Sequence, residues 1–214
     1  KAILKNDIAL TMLVYSRPHC EQYGALKRVE IEQREKKMNV YQASQERLHD
    51  IFANFDNVYV SFSGGKDSGV LLNLCIDYLR KHHPTRKLGV FHIDYEAQYQ
   101  MTTDYTDNEL EKNKDILEIY RICLPIAAKC ATSMYSDHWI PWNKDEKELW
   151  VRPLPKNSIN ESNHEFPWFK KGMWDYDFQD RFSEWYQTSH GGGKTCALVG
   201  IRTDESLNRW RAIH

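Results

Sequence analysis

The segment "NVYVSFSGGKDSGVLLNLCIDYL", residues 57–79, restricts the fold more than any other part of the chain. Val58, Tyr59, Val60, Ser61 and Phe62 alternate and are mostly β-branched or aromatic, the pattern of a strand. Gly64 and Gly65 turn the chain, and after Ser68 the residues Val70, Leu71, Leu74, Cys75 and Leu79 recur at helical spacing. "KLGVFHIDY" (87–95) reads as the next strand, 103–114 as a helix and "LEIYRICLP" (117–125) as a third strand. This alternation predicts a three-layer α/β fold, a doubly wound and mostly parallel sheet with right-handed crossovers.

The flanking regions read differently. Residues 20–37 are charge-rich and predict an exposed helix, and "NVYQASQERLHDIFANF" (39–55) predicts a second helix with Leu48, Ile51 and Phe52 on one face. Residues 1–56 are therefore expected to form a helical extension packed on a core domain spanning 57–214. Within that domain, residues 133–171 hold Pro141, Pro153, Pro155 and Pro167 among Trp139, Trp142, Trp150, Phe166, Trp168 and Phe169. So many aromatic residues argue for an ordered insertion or lid over the ligand crevice rather than a disordered linker. Its stretch "IPWNKDEKELWVRP" is expected to be a hairpin turning at Asn143, Lys144 and Asp145. "YDFQDRFSEWYQTSH" (176–190) returns to helical period, "KTCALVGI" (194–201) reads as a further strand, and "RTDESLNRWR" starts a helix.

Composition excludes several classes. With 29 basic and 30 acidic side chains the net charge is −1, which argues against a generally basic nucleic-acid surface. The apolar run "AILKNDIALTMLVY" is broken by Lys5, Asn6 and Asp7, so it is neither a signal peptide nor a membrane span. The 5 cysteines form no CxxC pair, and an odd count without a secretory signal points to a reducing cytoplasm. His19, His82, His83 and His138 show no zinc-ligand spacing with them. A start at Lys1 and an end after "NRWRAIH" fit a piece of a longer polypeptide.

Two glycine-lysine stretches compete as phosphate cradles. "HGGGKT" (190–195) lacks the first glycine of GxxxxGK[ST], because Thr188 stands there, and its order is helix then strand. It reads as a helix C-cap turning into a strand. "SGGKDS" (63–68) has the strand–loop–helix context in which small residues let backbone N–H groups and a helix N-terminus approach an anion. Lys66 adds a mobile positive charge, while Ser61, Ser63 and Ser68 offer hydroxyls to phosphate oxygens or to the helix cap.

"VSFSGGKDS" resembles the signature of the PP-loop pyrophosphatase superfamily, whose loop holds the pyrophosphate of an adenine nucleotide. "VFHIDYEAQY" (90–99) and "GIRTDESLNR" (200–209) follow in the order of the phosphoadenosine phosphosulfate (PAPS) reductase branch, and the resemblance runs from about residue 42 to the end. "WVRPLP", "HGGGKTCALVGIRTDESLNR" and the Trp-rich insertion are similar to the bacterial co-activators of prophage gene expression (immunoglobulin-binding regulator A type), which occur beside a ParB-like partner.

The resemblance implies a nucleotide crevice lined by Ser61, Ser63, Gly64, Gly65, Lys66, Asp67, Ser68, Asp94, Arg202 and Glu205. Lys66, Arg202 and Arg209 are the candidate catalytic cations, since guanidinium groups grip phosphate or sulfate in a planar, bidentate way. Asp94 either binds ribose, directly or through Mg²⁺, or caps the loop after its strand; Glu205 either orients Arg202 or helps hold Mg²⁺. One implied chemistry cleaves ATP between its α and β phosphates and adenylylates an acceptor. The alternative is PAPS reduction, which needs a nucleophilic cysteine in a Glu-Cys-Gly-Leu-His motif that these 214 residues lack. A third reading is a nucleotide-sensing regulator that acts through a partner without turnover. Oligomeric state is left open.

Overall fold

The computed structural model describes residues 11–15, 39–130 and 133–201, with backbone only for 11–15. The sequence predicts a helix over residues 20–37 and another after 201; both lie outside the described residues, as do Arg202, Glu205 and Arg209.

The central sheet is built from β1 (Thr11–Tyr15), β2 (Asn57–Ser61), β3 (Leu88–Ile93), β4 (Leu117–Cys123), β7 (Ile159–Asn160) and β8 (Thr195–Ile201). Their order across the sheet is β1-β8-β2-β3-β4-β7. β8, β2, β3, β4 and β7 are mutually parallel, while β1 pairs antiparallel with β8. The short β5 (Ala128–Lys129) and β6 (His138–Trp139) form a separate antiparallel pair.

Side-chain alternation along the strands divides the core into two halves. Val58, Val60, Leu88, Val90, Cys196 and Leu198 face one way. They pack against α1 (Val40–Asn54), α2 (Lys66–His82) and α3 (Gln100–Lys112), whose buried residues include Leu48, Phe52, Leu71, Leu72, Leu79 and Leu110. Tyr59, Phe91, Tyr120, Ile122 and Ala197 face the other way, onto Phe178, Phe182 and Tyr186 of α4 (Asp175–Ser189) and onto Phe166. Each fully buried Val, Leu, Ile or Phe side chain among them contributes roughly 1.5–3 kcal/mol of transfer free energy. The result is the three-layer α/β arrangement that the strand–helix alternation predicts. α1 begins with a capping box, in which Asn39 Oδ1 accepts from Gln42 N–H at 2.9 Å and Gln42 Oε1 accepts from Asn39 N–H at 3.1 Å.

Two local expectations are corrected. "IPWNKDEKELWVRP" is not a hairpin: Lys144–Leu149 is a 3-10 stretch, with Asn143 Oδ1 accepting from Asp145 N–H at 3.3 Å. The N-terminal extension is not purely helical, because β1 adds an edge strand to the sheet. The insertion likewise contributes the opposite edge strand, β7.

Candidate functional site

The chain runs β2–α2–β3–α3–β4 outward across the sheet, adds β7, and returns through α4 to place β8 on the other side of β2. Strand order therefore reverses at β2, and ligands of such sheets bind beyond the carboxyl ends of the strands at that reversal. Ser63–Ser68 occupies this place.

The loop's backbone explains its composition. Phe62 N–H donates to the Phe91 carbonyl at 2.8 Å, which carries the sheet one residue past β2. Gly64 then takes a left-handed φ of 77°. A Cβ there would also lie 2.7 Å from Thr106 Oγ1 and 2.9 Å from Thr102 Cγ2, so glycine is required for both conformation and space. Gly65 is the N-cap of α2 and supplies no side-chain cap. The first N–H groups of this 17-residue helix thus lack both an intrahelical acceptor and a capping oxygen. Gly200, near the end of β8, packs against the same first turn: a Cβ on it would lie 2.9 Å from the Asp67 carbonyl oxygen.

The serines hold the turn closed. Ser68 Oγ donates to the Gly65 carbonyl at 3.0 Å, lies 3.0 Å from Ser63 Oγ and accepts from Ser63 N–H at 3.3 Å. Ser63 Oγ accepts a long bond from Gly65 N–H at 3.4 Å. Lys66 is exposed and makes no ion pair among the described residues. Asp67 and Ser61 are half-buried at the same end of the sheet.

Asp94 follows β3 and is fully buried. Its Oδ1 accepts from Glu96 N–H at 3.0 Å and from Arg152 Nη2; its Oδ2 accepts from Arg121 Nε at 3.0 Å, with Arg121 Nη2 at 2.9 Å. A carboxylate offers about four lone-pair directions; three hydrogen bonds and two flanking guanidinium charges occupy Asp94. Arg121 also bonds Asp107. Among the described residues no group of three His, Cys, Asp or Glu side chains is arranged to hold a metal ion. A protein-held Mg²⁺ on Asp94 does not fit this donor set.

Next to Asp94, Glu96 (φ 66°) is buried and accepts from the backbone N–H groups of Trp142 at 2.8 Å and Val151 at 3.0 Å. Trp142 Nε1 donates to the Asp94 carbonyl at 2.6 Å, and Arg152 Nε to the Glu96 carbonyl at 2.8 Å. The Arg152 guanidinium lies 5.0 Å from the Trp142 ring centre, within cation–π range. The insertion is thus bolted to the carboxyl end of β3. Sequence reasoning missed Arg121, Arg152 and Glu96. A signal existed for Arg121, a charge set between Tyr120 and Ile122 in the buried half of the strand "LEIYRIC", which demands a buried partner.

His92 is buried in β3, with Nδ1 2.7 Å from the Phe62 carbonyl at the base of the loop. Burial pushes its pKa below the ordinary histidine value, so Nδ1 carries the proton and donates. Cys75, Cys123 and Cys196 are buried, and desolvation raises all three thiols, Cys196 to about 12. Cys130 is half-buried.

The competing "HGGGKT" stretch lies at the opposite end of the strands, where β2 and β8 begin. Gly191, Gly192 and Gly193 all have positive φ (78°, 83° and 84°) and reverse the chain after α4. Lys194 N–H donates to Asp56 Oδ2 at 2.8 Å, and Asn57 Nδ2 to the Gly192 carbonyl at 2.6 Å. This is a helix-to-strand turn, as its element order predicts.

Residues 57–212 match the family model described as "Phosphoadenosine phosphosulfate reductase domain". The chain is also 34% identical over 177 residues to an Escherichia coli (strain K12) protein described as "Uncharacterized protein YbdN". That match covers 82% of this chain and 42% of the relative, so the chain spans less than half of the relative's length. The matched span and the fold agree: the chain belongs to the phosphoadenosine phosphosulfate reductase domain family, whose members bind an adenine nucleotide.

Proposed function

We propose that the chain binds ATP at Ser63–Ser68 and cleaves it between the α and β phosphates, transferring AMP to an acceptor. The observation that carries this reading is the start of α2, a helix N-terminus without a side-chain cap at the strand-order reversal, beside an exposed Lys66. An acceptor oxygen attacks the α phosphorus, and the bond from that phosphorus to the bridging oxygen breaks. Pyrophosphate leaves with the electron pair, and the acceptor's proton passes to solvent. The loop N–H groups and Lys66 stabilise charge building on the departing pyrophosphate, with Ser63 and Ser68 as further donors. Arg202 and Arg209 are assigned to the phosphates, and Glu205 to the orientation of Arg202, by resemblance alone. Asp94 is assigned to shaping the ribose side of the crevice rather than to a metal. Magnesium belongs in the assay as the companion of the triphosphate, and no step here runs through a protein-held ion.

PAPS reduction is the second reading, and one observation bears on it. Cys75, Cys123 and Cys196 are buried with raised pKa values, so none of them supplies a thiolate to take the sulfonate. That chemistry would need Cys20, Cys130 or a cysteine outside these 214 residues. Incubation with ATP or PAPS and magnesium, followed by chromatography, separates the readings. AMP and pyrophosphate support the first; adenosine bisphosphate and sulfite with a thiol donor support the second. Tight binding without products supports a regulator acting through a partner, for which a ParB-like protein is the class to test by co-purification with and without ATP.

A further inference from the structure

Thr106 lies on α3 and is fully buried, and its hydroxyl has no hydrogen-bond partner among the described residues. Its Oγ1 is 2.7 Å from the position a Cβ would take on Gly64, so the hydroxyl faces the left-handed turn of the phosphate loop. Packing does not call for an oxygen there, because a valine methyl fills the same volume. A threonine within a helix also has a ready acceptor four residues earlier. Thr103 uses it, donating to the Tyr99 carbonyl at 3.1 Å. Thr106 does not. A buried donor without an acceptor lowers stability, so a partner that forms in another arrangement of the loop is the economical explanation for this oxygen.

The loop has such an arrangement to reach. Its present closure rests on the Ser63 and Ser68 hydroxyls and the Gly65 carbonyl, through bonds of 3.0–3.4 Å. An oxyanion that recruits the loop N–H groups and the serine hydroxyls displaces those bonds, and the peptide units around Gly64 turn with them. We propose that Thr106 is a positioning residue for the anion-bound loop, its hydroxyl donating to a peptide oxygen at the Gly64 turn and so keeping the N–H groups aimed at phosphate. The inference rests on the nucleotide reading above and adds the group that selects the binding-competent loop.

The test compares wild type with Thr106→Val, Thr106→Ser and Lys66→Ala, using calorimetric titration with ATP and with inorganic pyrophosphate, together with thermal melts. Thr106→Val is expected to melt about 2–4 °C higher, because an unsatisfied hydroxyl is gone. It is also expected to bind both ligands about tenfold more weakly, the worth of one neutral hydrogen bond, and Thr106→Ser should recover most of that loss. A purely structural threonine would not produce opposite changes in stability and affinity. Unchanged affinity in Thr106→Val, a lower melting temperature, or no recovery in Thr106→Ser would overturn the proposal. Absence of wild-type binding to either ligand sinks the nucleotide reading and this one together, and binding that survives Lys66→Ala sinks the loop assignment. Binding lost in Lys66→Ala but intact in Thr106→Val sinks this inference alone.

Discussion

Half-buried Arg152 of the insertion and fully buried Asp94 at the end of β3 form an ion pair, in which Arg152 Nη2 donates to Asp94 Oδ1. Asp94 retains Arg121 when Arg152 is lost, so the remaining carboxylate is not left unpaired. Arg152→Met is therefore expected to destabilise by about 2–4 kcal/mol, toward the lower side of what breaking a buried pair costs. Urea denaturation measures it. Limited proteolysis should show faster cleavage within residues 133–171, while an unchanged cleavage pattern would mean the insertion is held by other contacts.

Gly200 and the first turn of α2 approach as closely as backbone allows. Gly200→Ala should push β8 from the Asp67 carbonyl and cost about 1–3 kcal/mol, as overpacking does. Because the strain falls on the helix start, nucleotide affinity should fall as well, whereas Gly172→Ala, remote from the loop, should leave affinity alone. Equal effects of both substitutions on binding would remove the link between β8 and the loop.

The buried cysteines give a chemical readout. With thiol pKa values raised by burial, Cys75, Cys123 and Cys196 should resist iodoacetamide at pH 8 in the native protein and react fully in urea. Peptide mass spectrometry identifies the sites. Rapid native alkylation of Cys123, at the carboxyl end of β4, would reopen a thiol role at the crevice.

His92 makes stability depend on pH. Its pKa in the folded protein is lowered from 6.5 by desolvation, so below that value the unfolded chain binds the extra proton more readily. Stability from the neutral imidazole is complete above about pH 6.5 and declines as pH falls through the folded pKa. Thermal melts between pH 7.5 and 5 should show this slope, and His92→Asn should flatten it. An identical slope in the variant would assign the acid sensitivity elsewhere.

Regular elements were legible where a period repeats over several residues. β2, α2, β3, α3, β4, α4 and β8 all follow from alternation or helical spacing, and the glycine turn between β2 and α2 follows from its place between two of them. β1 was not legible, because five residues pairing with β8 almost a chain length away leave no local signature. The 3-10 stretch in the insertion had a similar origin. Glu96 takes the N–H groups of Trp142 and Val151, 46 and 55 residues distant, and withdraws donors that a hairpin would have used. Asp94 was singled out as a candidate, yet its pairing with both Arg121 and Arg152 depends on a strand and an insertion meeting in space. Thr106 carried no sequence signal, since a threonine on a polar helix is unremarkable until its neighbour is known to be Gly64.

The most direct test of the central claim is calorimetric titration of ATP with magnesium into wild type, Lys66→Ala and Lys194→Ala. A charge-assisted contact to phosphate is worth about 10–100-fold in affinity, and Lys66→Ala should lose that amount while Lys194→Ala binds like wild type. Full affinity in Lys66→Ala, or a loss confined to Lys194→Ala, would contradict the assignment of the nucleotide to the loop after β2.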